Sequence, residues 1–392
     1  MRQIALSESV GSTGVFTDGD WVETKDQDPN GEVRLIQLAD IGVGAFLDKS
    51  SRFLTMEAAK RLRCTFLEPG DLLIARMPDP IGRTCIFPGL SQPCATVVDV
   101  CVLRPDPRIV YASYANWMIN SPQFLTKIDG FVSGSTRQRI SRGNLSTLSI
   151  PLPPLDEQKR IAAILDQADE LRRKRQRAID RLNQLGQAIF YEMFGDPVSN
   201  PFGWPVKKLG EIGVLDRGIS KHRPRNDPAL LGGAHPLIQT GDVANADGYI
   251  RSFISTYSDL GLKQSKKWPT GTLCITIAAN IGKTAILEIE ACFPDSVVGF
   301  TPSKETNAEY VQFWMSCIQK RLEEVAPQSA QKNINLAILR ELPIPMPPRQ
   351  SQDEFGTAIR EIELHKASLW QSANSIGSLF AAVQHRAFQG EL

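Results

Sequence analysis

The segment SIPLPPLDEQKRIAAIL, which begins at Ser149, returns later in the chain as PIPMPPRQSQDEFGTAI, which begins at Pro343. Both segments have closely spaced prolines after an apolar alternation, then a glutamine and an amphipathic run. This combination is too specific to arise from composition alone. Because an internal repeat implies one structural unit per copy, the sequence predicts two copies of a single fold. A constant offset of 194 residues aligns Pro151, Pro153, Pro154 and Gln158 of the first proline segment with Pro345, Pro347, Pro348 and Gln352 of the second.

Repetition extends upstream of the proline segments, with small changes of offset. LIQLADIGVG at Leu35 matches LIQTGDVANADG at Leu237, and GDLLIARMPDPIGRTCI at Gly70 matches GTLCITIAANIGKTAI at Gly271. A changing offset indicates loops of different length on a shared scaffold, since surface loops tolerate insertions best. Each half has a variable opening, strand-like runs, a helical segment with a tryptophan, the proline segment and a long helix. The strand-like runs are 72–75, 97–103 and 273–277, and we expect Trp117 and Trp314 to be core residues.

After each proline segment, the spacing predicts a long helix with a heptad repeat. In the second helix, one heptad position is apolar throughout and the other is weaker. Each helix of about 38 residues would span roughly 57 Å at 1.5 Å per residue. The predicted seam of the first helix, interrupted only by Arg175, is Ile161, Ile164, Ala168, Leu171, Ala178, Leu182, Leu185 and Ile189.

Either helix alone would leave an apolar stripe in water, so we expect the two to pair as an antiparallel coiled coil. Gly195 and Pro197 end the first helix. The expected fold class is α+β, with two repeated mixed α/β domains separated by two long helices in a pseudo-twofold arrangement. The predicted boundaries are 1–155 and 197–349 for the domains, and 156–196 and 350–392 for the helices.

Length and composition exclude several protein classes. A chain of 392 residues predicts two domains, and 42% hydrophobic with 22% charged residues is typical of globular proteins. No run approaches the roughly 20 apolar residues of a membrane span, and the opening MRQIALSESVGSTG does not resemble a signal peptide. Seven cysteines without a CxxC pair favour reduced thiols and a cytoplasmic location. The net charge of +1 means that nucleic-acid binding must depend on local patches.

Catalytic motifs are incomplete wherever the sequence approaches one. NIGKT at Asn280 ends like a phosphate-binding loop, but Ile277 stands where that loop needs a glycine. GVG at Gly42 is followed by Leu47, where a dinucleotide fingerprint also needs a glycine. The histidines form no HExxH motif, and no serine or cysteine lies in a recognisable nucleophile elbow. The sequence therefore predicts a non-catalytic chain without metal or cofactor.

Basic segments are the candidates for nucleic-acid contact. STRQRISR from Ser135 and its counterpart SAQKNIN from Ser329 precede the proline segments, and their polar side chains suit phosphates and base edges. SKHRPRND and KQSKKW occur only in the second half and fit either DNA contact or simple solvation, whereas RRKRQR from Arg172 favours a solvated helix face. Arg83 and Lys283 occupy matching turns. The candidate DNA-binding residues are Arg83, Ser135, Thr136, Arg137, Arg139, Arg142, Lys221, Arg223, Arg225, Lys263, Lys266, Lys283, Gln331, Lys332 and Asn333.

Taken together, these segments resemble the specificity subunits of type I restriction–modification enzymes over nearly the whole chain. The resemblance rests on PLPPLDEQKRIAAIL before a long helix, MFGDP, NPFGWPVKKLGE, LIQTGDV, GDLLIAR with IGRT, and the ending AFQGEL. It implies two target-recognition domains that each read one half of a bipartite double-stranded DNA target. The helices of that family set the spacing between half-sites and dock two copies of the methyltransferase subunit, to which restriction–translocase subunits attach. The candidate partner-binding residues are therefore the seam positions Ile161, Leu171, Leu182, Phe355, Ile362 and Leu369.

One part of the chain departs from this pattern. The first half opens without a counterpart of WPVKKLGE, so its first elements are not expected to match those of the second half. Three alternatives remain at this point. The chain could serve another antiphage modification assembly, it could be a coiled-coil scaffold that binds no DNA, or it could itself be a methyltransferase, which the incomplete DPIG and NPFG tetrads disfavour.

Overall fold

The computed structural model describes residues 2–134, 137–278, 281–325 and 334–389. The chain forms two compact units. Unit 1 comprises Met1–Gln176 and Ser372–Leu392, and unit 2 comprises Arg177–Gln371. Helix α5 (Leu155–Phe194) and helix α10 (Arg349–Gln389) each contribute residues to both units.

Unit 1 is built from two sheets and a pair of short strands. Its helices are α1 (Met56–Arg61), α2 (Ala112–Ile119), α3 (Pro122–Asp129) and α4 (Arg142–Thr147). Its strands are β1 (Gln3–Ala5), β2 (Val15–Asp18), β3 (Val33–Ile36), β4 (Phe53–Leu54), β5 (Leu72–Ala75), β6 (Thr84–Ile86), β7 (Cys94–Thr96), β8 (Val100–Arg104) and β9 (Ser149–Pro151). The main sheet has the order β2-β8-β5-β6, the second has the order β4-β3-β7, and β1 pairs with β9.

Unit 2 has the same kinds of element. Its helices are α6 (Thr240–Asn245), α7 (Asp259–Lys263), α8 (Ala308–Val325) and α9 (Leu336–Arg340). Its strands are β10 (Val206–Lys208), β11 (Gly213–Arg217), β12 (Leu231–Leu237), β13 (Tyr249–Ile250), β14 (Ser255–Tyr257), β15 (Lys267–Trp268), β16 (Leu273–Thr276), β17 (Thr284–Leu287), β18 (Ala291–Cys292), β19 (Val297–Pro302) and β20 (Pro343–Pro345). The main sheet has the order β11-β19-β16-β17-β13, the second has the order β14-β12-β18-β15, and β10 pairs with β20.

The two units share one topology. The order β2-β8-β5-β6 corresponds strand by strand to β11-β19-β16-β17, and unit 2 adds β13. In the second sheets, β3 is parallel to β7 and antiparallel to β4, as β12 is to β18 and β14. The predicted repeat of a mixed α/β fold is therefore confirmed. Trp117 and Trp314 are both buried, as predicted for core residues.

The openings of the two units correspond in structure, although their sequences do not. Strand β1 pairs with β9 in the same antiparallel way as β10 pairs with β20. Immediately after these strands, the amide of Leu6 donates to the carbonyl of Leu148 at 2.9 Å, and that of Leu209 donates to Leu342 at 3.0 Å. The expectation that the first elements differ was wrong. A three-residue strand held by backbone hydrogen bonds places few demands on side-chain identity.

The repeated proline segment begins as strand β9 or β20 and leads directly into a long helix. Tyr114 donates its hydroxyl to the carbonyl of Pro151 at 2.9 Å, and Tyr310 does the same to Pro345. The repeated glutamine is buried in both units. Gln158 donates to the carbonyl of Pro153 at 3.0 Å, and Gln352 donates to that of Pro347 at 2.9 Å. The segment is thus repeated because it fixes each globular part to the start of its helix.

Helices α5 and α10 pack against each other in antiparallel orientation. In unit 1, the core contains residues from the start of α5 (Ile161, Leu165) and from the end of α10 (Ala387). In unit 2, it contains Phe190 from the end of α5 and Phe355 from the start of α10, with ring centroids 5.5 Å apart. The predicted pairing of the helices is confirmed.

The buried stripe of α5 lies one residue away from much of the predicted seam. Leu171 and Leu185 are 43% and 47% exposed, respectively. Since successive helical residues point about 100° apart, a shift of one position turns a seam residue toward solvent. On α10, the predicted seam positions Phe355 and Ile362 are buried, whereas Leu379, the counterpart of Leu185 in the repeat, is exposed. The residues buried on α5 are Gln158, Ile161, Ala162, Leu165, Asp169, Ile179, Gly186, Phe190 and Phe194.

Candidate nucleic-acid interface

Several chain segments meet at one edge of the main sheet in unit 1. Because neighbouring strands are antiparallel, the end of β2, the start of β8, the end of β5 and the start of β6 lie together. The loop that follows residues 135–136 joins them, since the amide of Ile140 donates to the carbonyl of Arg76 at 3.1 Å. We call the segments 19–28, 76–83, 97–99 and 137–140 the loop edge of unit 1.

A cleft of about 850 Å³ opens at the loop edge of unit 1. Its walls include three cationic side chains, Arg52, Arg137 and Arg139, and the indole of Trp21. Arg137 and Arg139 are exposed, and reciprocal backbone hydrogen bonds of 2.9 and 3.0 Å between Ser133 and Arg139 close the loop that carries them. The structure therefore brings these two predicted DNA-binding arginines to one concave surface.

Arg142 occupies the first turn of α4 beside the end of β2. Its guanidinium donates to the Asp18 carboxylate at 3.3 Å and to the carbonyl of Phe16 at 3.2 Å. Asp18 also accepts a hydrogen bond of 2.6 Å from the buried Arg76, which itself donates to the carbonyl of Ile140. Arg142 is about half exposed, so it can both brace the loop edge and face a ligand.

Asp20 lies at the base of the cleft in a partly buried position. Its carboxylate accepts from the amide of Thr65 at 3.1 Å, but burial dominates and raises the pKa of Asp20 to about 6. An acid whose folded pKa exceeds its unfolded value favours folding at low pH, and that contribution is lost as the pH rises.

For this reason, we expect Asp20→Asn to change the pH dependence of stability. At about pH 3 the side chain is mostly neutral in both states, and the variant should match the wild type. Between about pH 4 and 6 the wild type loses stability that the amide retains, so the variant should be more stable at pH 7 to 8. Urea unfolding of both proteins from about pH 3 to 8 measures the difference, and a difference that is constant with pH would contradict the shifted pKa.

Arg83 does not present its guanidinium to a ligand. The side chain is 7% exposed and donates to the backbone carbonyls of Ile41, Met77, Pro80 and Leu38 at 2.8–3.1 Å. Its proposed contact with DNA is withdrawn, because this guanidinium ties the β5–β6 turn to the loop after β3. Lys283, at the matching position before β17, is exposed. The cations of these matching turns therefore differ in exposure.

The corresponding edge of unit 2 collects the basic loops that are peculiar to the second half. The side-chain carbonyl of Gln264 accepts from the amides of Lys221 and His222 at 2.6 and 3.1 Å. Ser265 donates to the carbonyl of Ile219 at 2.7 Å. These bonds join segment 218–227 to segment 263–267. We call these two segments, together with 277–278, 281–283 and 294–296, the loop edge of unit 2.

The cations of this edge are exposed and only partly neutralised. Asp295 pairs with Arg223 at 3.6 Å and with Arg225 at 2.5 Å. The ammonium of Lys266 lies 3.9 Å from the centroid of the Trp268 ring and 3.6 Å from Asp216. Lys221 and Lys263 are also exposed. Arg217, which the sequence did not mark as a candidate, is also exposed at this edge, at the end of β11.

Five of the predicted DNA-binding residues lie outside the described part of the chain: Ser135, Thr136, Gln331, Lys332 and Asn333. The residue that follows the last three is described. The amide of Ile334 donates to the carbonyl of Ile277 at 3.0 Å, as Ile140 does to Arg76 in unit 1. The chain therefore returns to the same edge of the main sheet in both units.

The predicted partner-binding residues divide by exposure. Ile161, Phe355 and Ile362 are buried in the cores of their own units and cannot reach a partner without unfolding. Leu182 and Leu369 are half-buried. Leu171 remains exposed, and Leu185 and Leu379, at equivalent positions of the two helices, are exposed by 47% and 61%.

The described residues offer few groups for chemistry of their own. No group of three or more His, Cys, Asp or Glu side chains among them could hold a metal ion. Six of the seven cysteines are buried, and burial raises the pKa of the Cys85 thiol to about 12, which leaves it protonated at neutral pH. None of the helices in the described part of the chain is long and apolar enough to span a membrane.

The two structural repeats coincide with two matches to one family model, the type I restriction modification DNA specificity domain, at residues 18–181 and 201–366. The chain belongs to this family. The specificity subunits of type I systems are non-catalytic, and catalysis occurs in partner subunits. Membership implies assembly with methyltransferase and restriction subunits and with DNA.

Relatives agree with this membership, and a solved structure shares the fold. The chain is 24% identical over 361 residues to the type I restriction enzyme EcoBI specificity subunit of Escherichia coli, covering 83% of this chain and 74% of that one. It is 22% identical over 362 residues to the EcoKI specificity subunit of E. coli K12, covering 83% and 75%. The crystal structure of the type I restriction–modification S subunit from M. genitalium shares its fold with a TM-score of 0.61 at 15% identity, covering 99% and 96% of the two chains.

Proposed function

We propose that this chain selects the DNA target of a type I restriction–modification complex, with each unit reading one half of a bipartite sequence in the major groove. The observation that carries the proposal is the duplicated loop edge. The same edge of the same sheet presents different side chains in the two units, and two different half-sites require this. Methylation and cleavage take place in the partner subunits.

The chemistry of both edges suits duplex DNA. Arginine and lysine neutralise phosphates, and arginine also donates to the O6 and N7 atoms of guanine. Unit 1 contributes Arg137, Arg139 and Arg142 to this role. In unit 2, the cations are Lys221, Arg223, Arg225, Lys263, Lys266 and Lys283. The described residues that follow these segments, Ile140 and Ile334, bond to the same edges. This supports a DNA-binding role for five further candidates: Ser135, Thr136, Gln331, Lys332 and Asn333.

The long helices supply length for the spacing between half-sites. At 40 and 41 residues, α5 and α10 are each about 60 Å long. Half-sites on successive major-groove faces lie roughly 34–36 Å apart. A helix pair of this length is sufficient to hold two recognition units over successive turns of one duplex.

Exposed leucines on the helices are the proposed docking points for methyltransferase subunits. Leu185 of α5 and Leu379 of α10 occupy equivalent positions of the repeat, and each is exposed. Two equivalent apolar positions suit two copies of one partner. The restriction–translocase subunits would then join through the complex.

The docking proposal predicts that Leu185→Asp and Leu379→Asp each weaken capture of the methyltransferase subunit, and that the double variant abolishes stable capture. A charge in an apolar contact leaves it unpaired and desolvated. Copurification of the coexpressed subunits gives the readout. Leu364→Asp, at a 73% exposed position of α10, is the matched control, and equal loss in this control would contradict the assignment.

DNA binding by the assembled complex should depend on the basic loop of unit 2. Replacing Lys221, Arg223 and Arg225 together with alanine should reduce the slope of log affinity against log salt by about 0.9 for each lost phosphate contact. Binding to a target duplex at several salt concentrations measures the slope. Lys304→Ala is the control, because this exposed lysine follows the other end of β19. An unchanged slope in the triple variant would favour a scaffold that does not contact DNA at this edge.

A further inference from the structure

We propose that Trp21 is a specificity residue of unit 1 that packs its indole against the 5-methyl group of a thymine in the major groove. The inference rests on the proposed function and adds to it the kind of base that one residue recognises. It starts from an exposed aromatic side chain in the cleft of unit 1. The side chain is 70% exposed, although a tryptophan normally buries most of its large apolar surface.

The polar edge of this indole already has a partner. Its Nε1 atom faces Glu23 Oε1 at 3.5 Å, and the other carboxylate oxygen of Glu23 pairs with Lys25 at 2.6 Å. The ring is therefore left to make apolar contacts with a ligand. The cationic residues Arg52, Arg137 and Arg139 line the same cleft and can bring a phosphate backbone close to it.

The loop that carries Trp21 is anchored on both sides. Before it, the amides of Gly19 and Asp20 donate to the carbonyls of Val100 and Thr96 at 2.8 Å each. After it, Asp26 pairs with Arg61 at 2.7 Å and accepts from the amide of Glu23 at 3.3 Å. An indole held in place in this way loses little conformational freedom when it binds, which favours specificity.

The equivalent loop of unit 2 shows what Trp21 replaces. Gly218 donates its amide to Val297 at 2.8 Å as Gly19 does to Val100, so the loops 19–28 and 218–227 start from the same place in the fold. Loop 218–227 carries Lys221, Arg223 and Arg225 against one carboxylate, whereas loop 19–28 carries four carboxylates and one lysine. Loop 19–28 itself therefore offers little attraction for phosphates, which leaves its exposed indole for contact with the bases.

In an intact duplex, the apolar group that the major groove presents is the thymine methyl, since the other base-edge groups are hydrogen-bond donors and acceptors. The geometry thus points to thymine rather than to a phosphate or a guanine edge.

The test uses the full chain assembled with its methyltransferase subunits and target duplexes in which each half-site thymine is replaced singly by uracil, which lacks the methyl group. We expect one replacement to weaken wild-type binding about fourfold, as expected for one buried methyl. Trp21→Ala should bind the thymine target about tenfold more weakly and become insensitive to that same replacement, while Trp21→Phe retains most of the affinity. Ile254→Ala, at a 92% exposed position of unit 2, is the control and should bind normally.

Two results overturn the inference while leaving the proposed function intact. The first is that Trp21→Ala binds the target as well as the wild type does. The second is that each uracil replacement changes binding of Trp21→Ala and of the wild type by the same factor, which includes the case in which no replacement affects either protein. If the wild-type complex selects no DNA sequence, the proposed function fails and the role of Trp21 fails with it. Circular dichroism of Trp21→Ala separates loss of binding from loss of fold.

Discussion

Replacing Phe190 with alanine is expected to lower the free energy of unfolding by about 4 kcal/mol. The side chain is fully buried near the end of α5. Its ring lies 5.2 Å from that of Phe194, 5.7 Å from Tyr310 and 5.5 Å from Phe355, measured between centroids. The substitution leaves a cavity where α5, α8 and α10 meet, and urea denaturation measures the loss.

Leu185→Ala is the matched control for this prediction. Leu185 lies on the same helix and belongs to the seam predicted from sequence, but its exposure limits the expected loss to about 0.5 kcal/mol. Equal losses in the two variants would show that Leu185 is buried like Phe190, which would contradict the shifted stripe.

Lys366→Met is expected to destabilise the protein by about 3 kcal/mol, because it leaves the buried carboxylate of Glu363 without its nearest cation. The ammonium group, with only 4% of its side chain exposed, lies 2.7 Å from Glu363 and 2.8 Å from Asp247. Glu363 has one further cation, Arg251, at 3.6 Å. The cluster joins α10 to the turn between α6 and β13 within unit 2.

Two variants make the Lys366 prediction specific. Lys174→Met removes a lysine of similar spacing on α5, but that lysine and Glu170 are each 61% exposed, so it should cost at most about 0.5 kcal/mol. The double variant Lys366→Met/Glu363→Gln should recover part of the loss, since it removes the stranded charge. A cost for Lys366→Met no larger than that for Lys174→Met would show that the buried cluster contributes nothing.

The sequence was sufficient for the repeat, the two long helices and their pairing, because periodic apolar positions determine these features locally. The run 72–75 is strand β5 with the predicted bounds, whereas 97–103 begins three residues earlier than β8. The register of the helix pair was less accessible. The buried stripe includes Asp169 and, at the equivalent position of the repeat, Glu363, and a search for apolar residues passes over both.

The candidate interface depends on which loops the fold brings together, and this was only partly visible in the sequence. Side-chain type identified the basic loops of unit 2, but not the hydrogen bonds through Gln264 and Ser265 that join them. The same criterion selected Arg83, whose guanidinium donates hydrogen bonds to backbone carbonyls inside the protein. It also passed over Trp21, since an aromatic residue in a sequence gives no sign of its exposure.

The most direct test of the central claim is to map methylated bases across the host genome with and without this gene, while the partner methyltransferase is expressed. We predict that deletion removes methylation from one bipartite motif, made of two half-sites separated by a spacer of fixed length, and that returning the gene restores it. An unchanged methylation pattern in the deletion strain would contradict the role of this chain in selecting the DNA target.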